Sequence, residues 1–410
     1  MSDWITTNLK RARALTPSNS QTELTVKLID TVYNRYASVS NAERRIALAA
    51  AFDLLVAAEY YKSVVHEGWI YCSLHSPQLF YPYTNVCPRC VLSGRFEFAE
   101  ARKPSSGIIG NVTANLLVLF FQTLLHRKNH PMQVLRSAEP VDGVFIDNTT
   151  SPKTVIFVEI KSSPLITLPL SATSDLLTVR AEEDSPRAVG HEYINHHRLY
   201  GDNLSIWLPN FEQPIEGYYY ELGAKQDKDN HNWAYLGIMS LLERDPLFFE
   251  NYVSFWKKVF EAYALRNAQI KAYWLTNGCG QPVPRPIDWP KRRIGSGYES
   301  ISDGKTSVGL DRTDDIKKSV YQILKLGSLG KSIVGYDFYV GILSNIHPVR
   351  HFDEYFLPII DVIWTTYPDH EVKTVADLPD DHKLYNLFDI ILCLTENMSK
   401  ISRLNSIFDF

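Results

Sequence analysis

Residues 141–163 constrain the fold of this 410-residue chain most, because their pattern is that of a β-hairpin. Two runs rich in apolar and β-branched residues, 141–147 and 154–162, predict strands. The Asn, Ser and Pro of residues 148–153 favour a turn between them. The segment therefore predicts two strands that fold back on each other.

Three charged side chains occupy defined places on this hairpin. Strand side chains alternate between two faces, so Glu159 and Lys161 share one face. Asp142 begins the first strand, and the hairpin folds it back beside Glu159. Two carboxylates without a histidine suit Mg²⁺ or Mn²⁺, and phosphodiester hydrolysis needs such a cation together with a cationic group that orients water. The pattern predicts a metal-dependent phosphodiesterase site, and its alternative is a solvated ion pair.

The same residues carry a resemblance to a known family. Pro140 and Asp142, followed by Glu159-Ile-Lys161, resemble the PD-(D/E)xK motif of the superfamily that includes type II restriction endonucleases, with Val141 in a relaxed position. The resemblance implies that Asp142 and Glu159 bind Mg²⁺ and that Lys161 is the catalytic lysine. It further implies a homodimer that cuts double-stranded DNA. In these nucleases the preceding helix often adds an acid, but here it offers Gln122 and no Glu.

The order of predicted elements indicates an α/β fold, with a mixed central sheet flanked by helices. With the resemblance, the core is restriction-endonuclease-like. Flanking segments predict helices at 246–268, 312–325 and 351–364 and a strand at 271–276. The expected divisions are a helical region at 1–70, a zinc-binding knuckle at 71–95, the nuclease core at 96–170 and 296–370, an inserted DNA-recognition lobe at 171–295, and a C-terminal helical segment at 371–410.

A second metal site is predicted from cysteine spacing. Cys72 with His75 and Cys87 with Cys90 form two knuckles, and each knuckle can supply two ligands to a tetrahedrally coordinated metal ion. Four soft ligands at this spacing indicate structural Zn²⁺, and His66 is an alternative to His75. The knuckle could present Arg89 and Arg95 to DNA. The histidine-rich segment 191–197 lacks metal-site spacing and is interpreted as a polar surface or a DNA-facing segment.

Two further segments have the composition of phosphate-binding loops before helices. The first contains Arg102, Lys103 and Ser105, and the second contains Lys305, Thr306, Ser307, Arg312 and Lys317. The helix that carries Tyr321 and Gln322 resembles the one that follows the catalytic strand in these nucleases. Asp288 with Asp303 and Lys305 forms a rival site, although no apolar strand supports it. The alternative is a surface loop with ordinary basic residues for the first segment and a solvated amphipathic helix for the second.

Composition limits the remaining classes. A net charge of −4 argues against a protein that coats nucleic acid by bulk charge, but not against a local basic groove. The opening residues have no apolar signal core, and the longest apolar runs predict buried helices, so we expect a cytoplasmic protein with no membrane contact. The resemblance to restriction endonucleases implies a prokaryotic source. Two alternatives remain: a repair, transposition or modification-dependent nuclease of the same fold, and a non-enzymatic zinc-containing DNA-binding protein.

Overall fold

The computed structural model describes residues 3–64, 69–72, 78–80, 89, 106–172, 191–194, 204–210, 216–223, 231–267, 269–276, 308–366 and 374–410. In this part of the chain the α-helices are α1 Trp4–Leu9, α2 Asn19–Arg35, α3 Asn41–Val64, α4 Ser106–Arg127, α5 Trp233–Arg244, α6 Pro246–Ala264, α7 Thr313–Gly330 and α8 Ser402–Ile407. Shorter 3-10 turns are Lys271–Leu275, Leu357–Ile359 and Val375–Asp377, and Phe352–Phe356 forms a π-helical turn.

The strands of the same residues are β1 Trp69–Cys72, β2 Gln78–Phe80, β3 Gln133–Arg136, β4 Gly143–Asp147, β5 Lys153–Lys161, β6 Leu170–Ala172, β7 His191–Ile194, β8 Leu204–Pro209, β9 Gly217–Glu221, β10 Tyr336–Ser344, β11 Ile363–Trp364, β12 Tyr385–Asn386, β13 Ile390–Cys393 and β14 Met398–Ser399. The chain folds into two compact units. The first unit comprises Met1–Thr16, Ala114–Ser162 and Gly309–Phe410, and the second comprises Pro17–Thr113 and Ser163–Val308.

The first unit is built on a mixed sheet with strand order β14-β13-β10-β5-β4-β3. β3, β4 and β5 pair antiparallel, whereas β5, β10 and β13 pair parallel. The register places Ser344 of β10 opposite both Lys161 of β5 and Cys393 of β13. The carboxyl ends of these three parallel strands therefore meet at one edge, where open α/β sheets hold their ligands.

Helices cover both faces of this sheet. Val155 and Phe157 of β5 are buried in one apolar cluster with Ile316 and Ile323 of α7. These helix residues are two turns apart, as expected for one face of a helix. Because side chains alternate along a strand, Glu159 lies on the same face of β5 as Val155 and Phe157. On the other face, Phe145 of β4 packs edge-to-face against Phe121 of α4, with ring centroids 6.4 Å apart. The predicted mixed sheet flanked by helices is confirmed.

The second unit contains an antiparallel sheet, β7-β1-β2-β6-β8-β9, and a group of packed helices formed by α2, α3, α5 and α6. Asp53 of α3 is buried, and its Oδ2 accepts hydrogen bonds from Leu165 N at 2.8 Å, Ile166 N at 3.2 Å and Trp256 Nε1 at 2.7 Å. Burial raises the pKa of Asp53 to about 7, against the effect of these donors. The carboxyl therefore ties helix α3 to a distant chain segment and to α6.

Several sequence predictions are wrong in this structure. Residues 271–276, predicted as a strand, form the 3-10 turn Lys271–Leu275. The predicted helix at 351–364 is broken into short turns and β11, consistent with Pro358, which cannot donate a helical hydrogen bond. The C-terminal segment, predicted helical, contributes β13 and β14 to the central sheet and is α-helical only at Ser402–Ile407.

Candidate active site

An acidic pair lies at the base of the predicted hairpin, entirely within the first unit. Gly143 pairs with Val158, so Asp142, the residue before β4, comes opposite Glu159. Asp142 Oδ2 accepts a hydrogen bond from Ile160 N at 3.1 Å, which fixes the carboxylate against β5. The Asp142 and Glu159 side chains also contact each other through a hydrogen bond. The hairpin thus brings two carboxyl groups together, as its sequence predicts.

The environment of Glu159 disfavours its charged form. The residue is only 9% exposed, and burial followed by the charge of Asp142 raises its pKa to about 7, against the opposing effect of Lys161. Carboxyl groups with raised pKa values cluster at functional sites, because burial and like charges are otherwise unfavourable. A proton or a cation is therefore needed to relieve the repulsion between the two side chains.

Lys161 provides part of that positive charge. Its Nζ lies 2.6 Å from Glu159 Oε1, and 21% of its side chain is exposed. Burial alone would lower the pKa of Lys161, but the charge and hydrogen bond of Glu159, with the charges of Asp142 and Asp315, raise it. The ammonium group is therefore charged and points into the acidic site from the same strand face as Glu159.

A second cation, Arg136 of β3, braces the site and was not singled out from the sequence. Its Nη1 donates to the backbone oxygen of Asp142 at 2.8 Å, and its Nε donates to Asn115 Oδ1 of α4 at 3.0 Å. Burial lowers its pKa, while the charges of Asp142 and Glu159 act in the opposite direction. The register that pairs Arg136 with Gly143 creates this contact. No sequence motif marks it.

Helix α7 closes the site from the face that it covers. Gln322 Nε2 donates to the backbone oxygen of Pro140, two residues before Asp142. Asp315, two turns earlier on the helix, interacts electrostatically with Lys161. The sequence marks Gln322 only as part of a helix that resembles one in these nucleases and predicts no contact with Pro140. Its observed role is to hold the segment that carries Asp142.

The side chains present suit a hard divalent cation bound through oxygen, because both acidic groups are carboxyls with a shared unfavourable charge. Within the described residues, no group of three or more His, Cys, Asp or Glu side chains could hold a metal ion. Gln122 of α4 adds no free oxygen, since its Oε1 accepts from Val134 N at 2.6 Å. Asp142 and Glu159 would thus be the protein ligands of such an ion.

The other predicted site residues are placed only in part. Cys72 lies in β1, whereas His75, Cys87 and Cys90 fall outside the described residues, as do Arg102, Lys103, Ser105, Lys305, Thr306, Ser307, Asp288 and Asp303. Arg312 immediately precedes α7, with Nη2 4.0 Å from Asp314 Oδ2. Lys317 Nζ lies 5.6 Å from the centre of the Tyr355 ring. Arg89 is only 6% exposed and donates to the Tyr219 hydroxyl, so the prediction that it faces DNA is wrong.

Comparison of the chain with protein-family models, curated proteins and solved structures found no match.

One described helical stretch, Gly107–Arg127, is long and apolar enough to cross a membrane by length and composition. Its most apolar window is 61% buried inside the protein. A core helix has this character as well.

Proposed function

We propose that this protein is a magnesium-dependent type II restriction endonuclease with a PD-(D/E)xK site. The observation that carries the proposal is the convergence of Asp142, Glu159 and Lys161 on one face of a β-hairpin. The surrounding order α4-β3-β4-β5-α7-β10 supports it, because helix, antiparallel hairpin, helix and parallel strand resemble the core of that superfamily. In this proposal the substrate is double-stranded DNA and the active form is a homodimer.

Each of the three residues has a distinct task. Asp142 and Glu159 would hold Mg²⁺, which supplies charge stabilisation at the scissile phosphate. Asp142 is already oriented by Ile160 N, while Arg136 donates to its backbone oxygen and Gln322 donates to that of Pro140. Lys161, kept charged by the acids, orients the attacking water. Little rearrangement of the chain is then required when substrate binds.

A purely structural role for this cluster explains less. Buried ion pairs stabilise a fold only when their charges are balanced and well hydrogen-bonded. Here Glu159 has a pKa near 7 although Lys161 lies 2.6 Å away, so the ionised pair remains unfavourable. That cost favours a catalytic site over a solvated ion pair, and it argues against the non-enzymatic alternative.

Plasmid cleavage tests the proposal. Purified protein with Mg²⁺ should cut plasmid DNA into discrete fragments, and the isosteric variants Asp142→Asn, Glu159→Gln and Lys161→Met should each abolish cutting while still binding DNA. Asp147→Asn is the matched control, because Asp147 is a buried carboxylate at the other end of β4 whose Oδ1 accepts hydrogen bonds from Thr149 of its own turn. Undiminished cutting by any of the three variants would refute the assignment.

The fragment pattern separates the related nucleases. Discrete fragments support a sequence-specific enzyme, whereas random degradation favours a repair, transposition or modification-dependent nuclease on the same fold.

The structural Zn²⁺ site stays a prediction from the spacing of Cys72, His75, Cys87 and Cys90. Elemental analysis of the chelator-washed protein tests it, and a sample without zinc would remove it.

A further inference from the structure

Helix α7 carries two lysines along the row of residues that borders the active site. Asp315, Lys318, Gln322 and Lys325 are spaced three, four and three residues apart, which places them on one side of an α-helix. Two of these residues already interact with the site. Asp315 interacts electrostatically with Lys161, and Gln322 donates a hydrogen bond to the backbone oxygen of Pro140. Lys318 and Lys325 therefore lie on the side of α7 that carries Asp315 and Gln322.

The orientation of this row is fixed by the opposite side of the helix. Ile316, Ile323 and Leu326 are fully buried against the sheet. Lys318 and Lys325 are consequently exposed, and neither forms an ion pair with any residue in the described ranges. Lys317, in contrast, lies over the ring of Tyr355. Lys318 and Lys325 are thus exposed cations without an acidic partner among the described residues.

An aromatic ring stands between these cations. Tyr321 follows Lys318 by three residues and precedes Lys325 by four, and 66% of it is exposed. Lys318 and Lys325 are separated by about 10 Å along the axis, at about 1.5 Å per residue. Phosphates of one DNA strand are spaced about 3.4 Å apart along the duplex axis, so this distance spans about three of them. Cations around an exposed aromatic ring are the elements of single-strand binding surfaces.

We propose that Lys318, Tyr321 and Lys325 form a strand-contact face for a nucleic acid with an unpaired base next to the scissile phosphate. The lysines bind backbone phosphates, and Tyr321 stacks on the unpaired base. The inference rests on the proposed function, since the Asp142–Glu159 pair identifies which phosphate is cut. It adds a substrate property, namely local opening of the duplex beside the cleavage point.

Binding of the full-length protein to fluorescein-labelled DNA, measured by anisotropy in chelator so that no cutting occurs, tests the lysines. The double variant Lys318→Gln/Lys325→Gln should reduce the slope of log affinity against log salt concentration by about 1.4 for a single strand and about 1.8 for a duplex. Lys153→Gln is the matched control, because Lys153 is exposed at the opposite end of β5 and should leave the slope unchanged. An unchanged slope in the double variant would refute the proposed strand-contact face.

The aromatic position has its own test. Tyr321→Ala should weaken binding to a single strand, or to a duplex with a mismatched pair, by about five- to 150-fold, with an unchanged salt slope. Tyr321→Phe keeps the stacking surface and should bind like the original protein. An equal loss on a fully paired duplex, or an equal loss in Tyr321→Phe, refutes the unpaired base.

The two proposals fail differently. If the α7 variants lose DNA binding as stated but the original protein cuts no DNA with Mg²⁺, the strand-contact face is supported and the nuclease assignment is refuted. If cutting depends on Asp142 and Glu159 while the α7 variants bind DNA normally, the nuclease assignment is supported and the face is refuted.

Discussion

Replacing Glu159 by Gln should stabilise the metal-free protein, and the gain should depend on pH. Glutamine has the shape of the protonated acid but cannot acquire the charge that burial and Asp142 disfavour. A carboxyl whose pKa is raised on folding stabilises the folded state below its ordinary value of 4.5, and this contribution is lost as the pH rises through about 7. The variant therefore differs most from the original protein above neutral pH.

The size of the gain follows from the pKa. A rise from 4.5 to about 7 corresponds to roughly 3 kcal/mol in the free energy of unfolding, at about 1.4 kcal/mol for each tenfold change in proton affinity. We expect Glu159→Gln to exceed the original protein by this amount at pH values near 8 and to match it near pH 4. Asp142→Asn removes the second contribution to the raised pKa, so the gain should shrink in that background.

Urea unfolding followed by circular dichroism in chelator, at a series of pH values, measures the difference. Titrations of groups that do not interact with residue 159 cancel between the two proteins, so the difference reports on Glu159 together with Asp142 and Lys161. Addition of Mg²⁺ at high pH should stabilise the original protein by mass action and leave Glu159→Gln nearly unaffected. A difference between the two proteins that is the same at low and high pH would refute the argument that Glu159 is held in an unfavourable charged state.

Three further substitutions test buried polar contacts of the two units by urea unfolding. Arg136→Met removes the donor to the Asp142 carbonyl and should cost about 2–3 kcal/mol, with Arg136→Lys recovering only part; an unaltered midpoint would contradict the bracing role. Asp53→Leu leaves three donors of the second unit without their acceptor and should cost at least about 3 kcal/mol, whereas Asp53→Asn should cost less. Lys331→Met leaves the buried carboxylate of Asp389 unpaired, since the two side chains are only 5% and 4% exposed, and should cost about 3–5 kcal/mol; a neutral result would show that the pair is solvated.

The hairpin could be predicted from sequence because its information is local. The apolar run of β5, the turn before it and the alternation of Glu159 and Lys161 all lie within a few residues of one another, and the observed strands follow them closely. The strand at 271–276 was predicted from the same kind of signal and is wrong. There the 3-10 turn Lys271–Leu275 packs against α6, and tertiary contact outweighs strand propensity.

The residues around the acidic pair could not be predicted, because long-range register places them. Arg136 contacts Asp142 only since β3 pairs with β4, and Asn115 joins them from α4. Lys317 and Lys318 also differ through a long-range contact, because the ring of Tyr355, from a later segment, lies under Lys317. The two lysines are adjacent in sequence, and only the fold shows that their surroundings differ.

The unfavourable charge of the acidic pair connects the stability of the hairpin to its proposed chemistry. A hairpin under selection for stability alone would be improved by an uncharged residue at position 159, because the charged side chain opposes folding at neutral pH. The neighbouring cations lessen this cost without removing it, since Lys161 and Arg136 still leave the pKa of Glu159 near 7. A divalent cation would supply the missing positive charge in the folded state and would displace the proton. Metal affinity should accordingly fall as the pH drops below about 7. The same buried carboxylates thus destabilise the metal-free protein and favour the metal-bound protein.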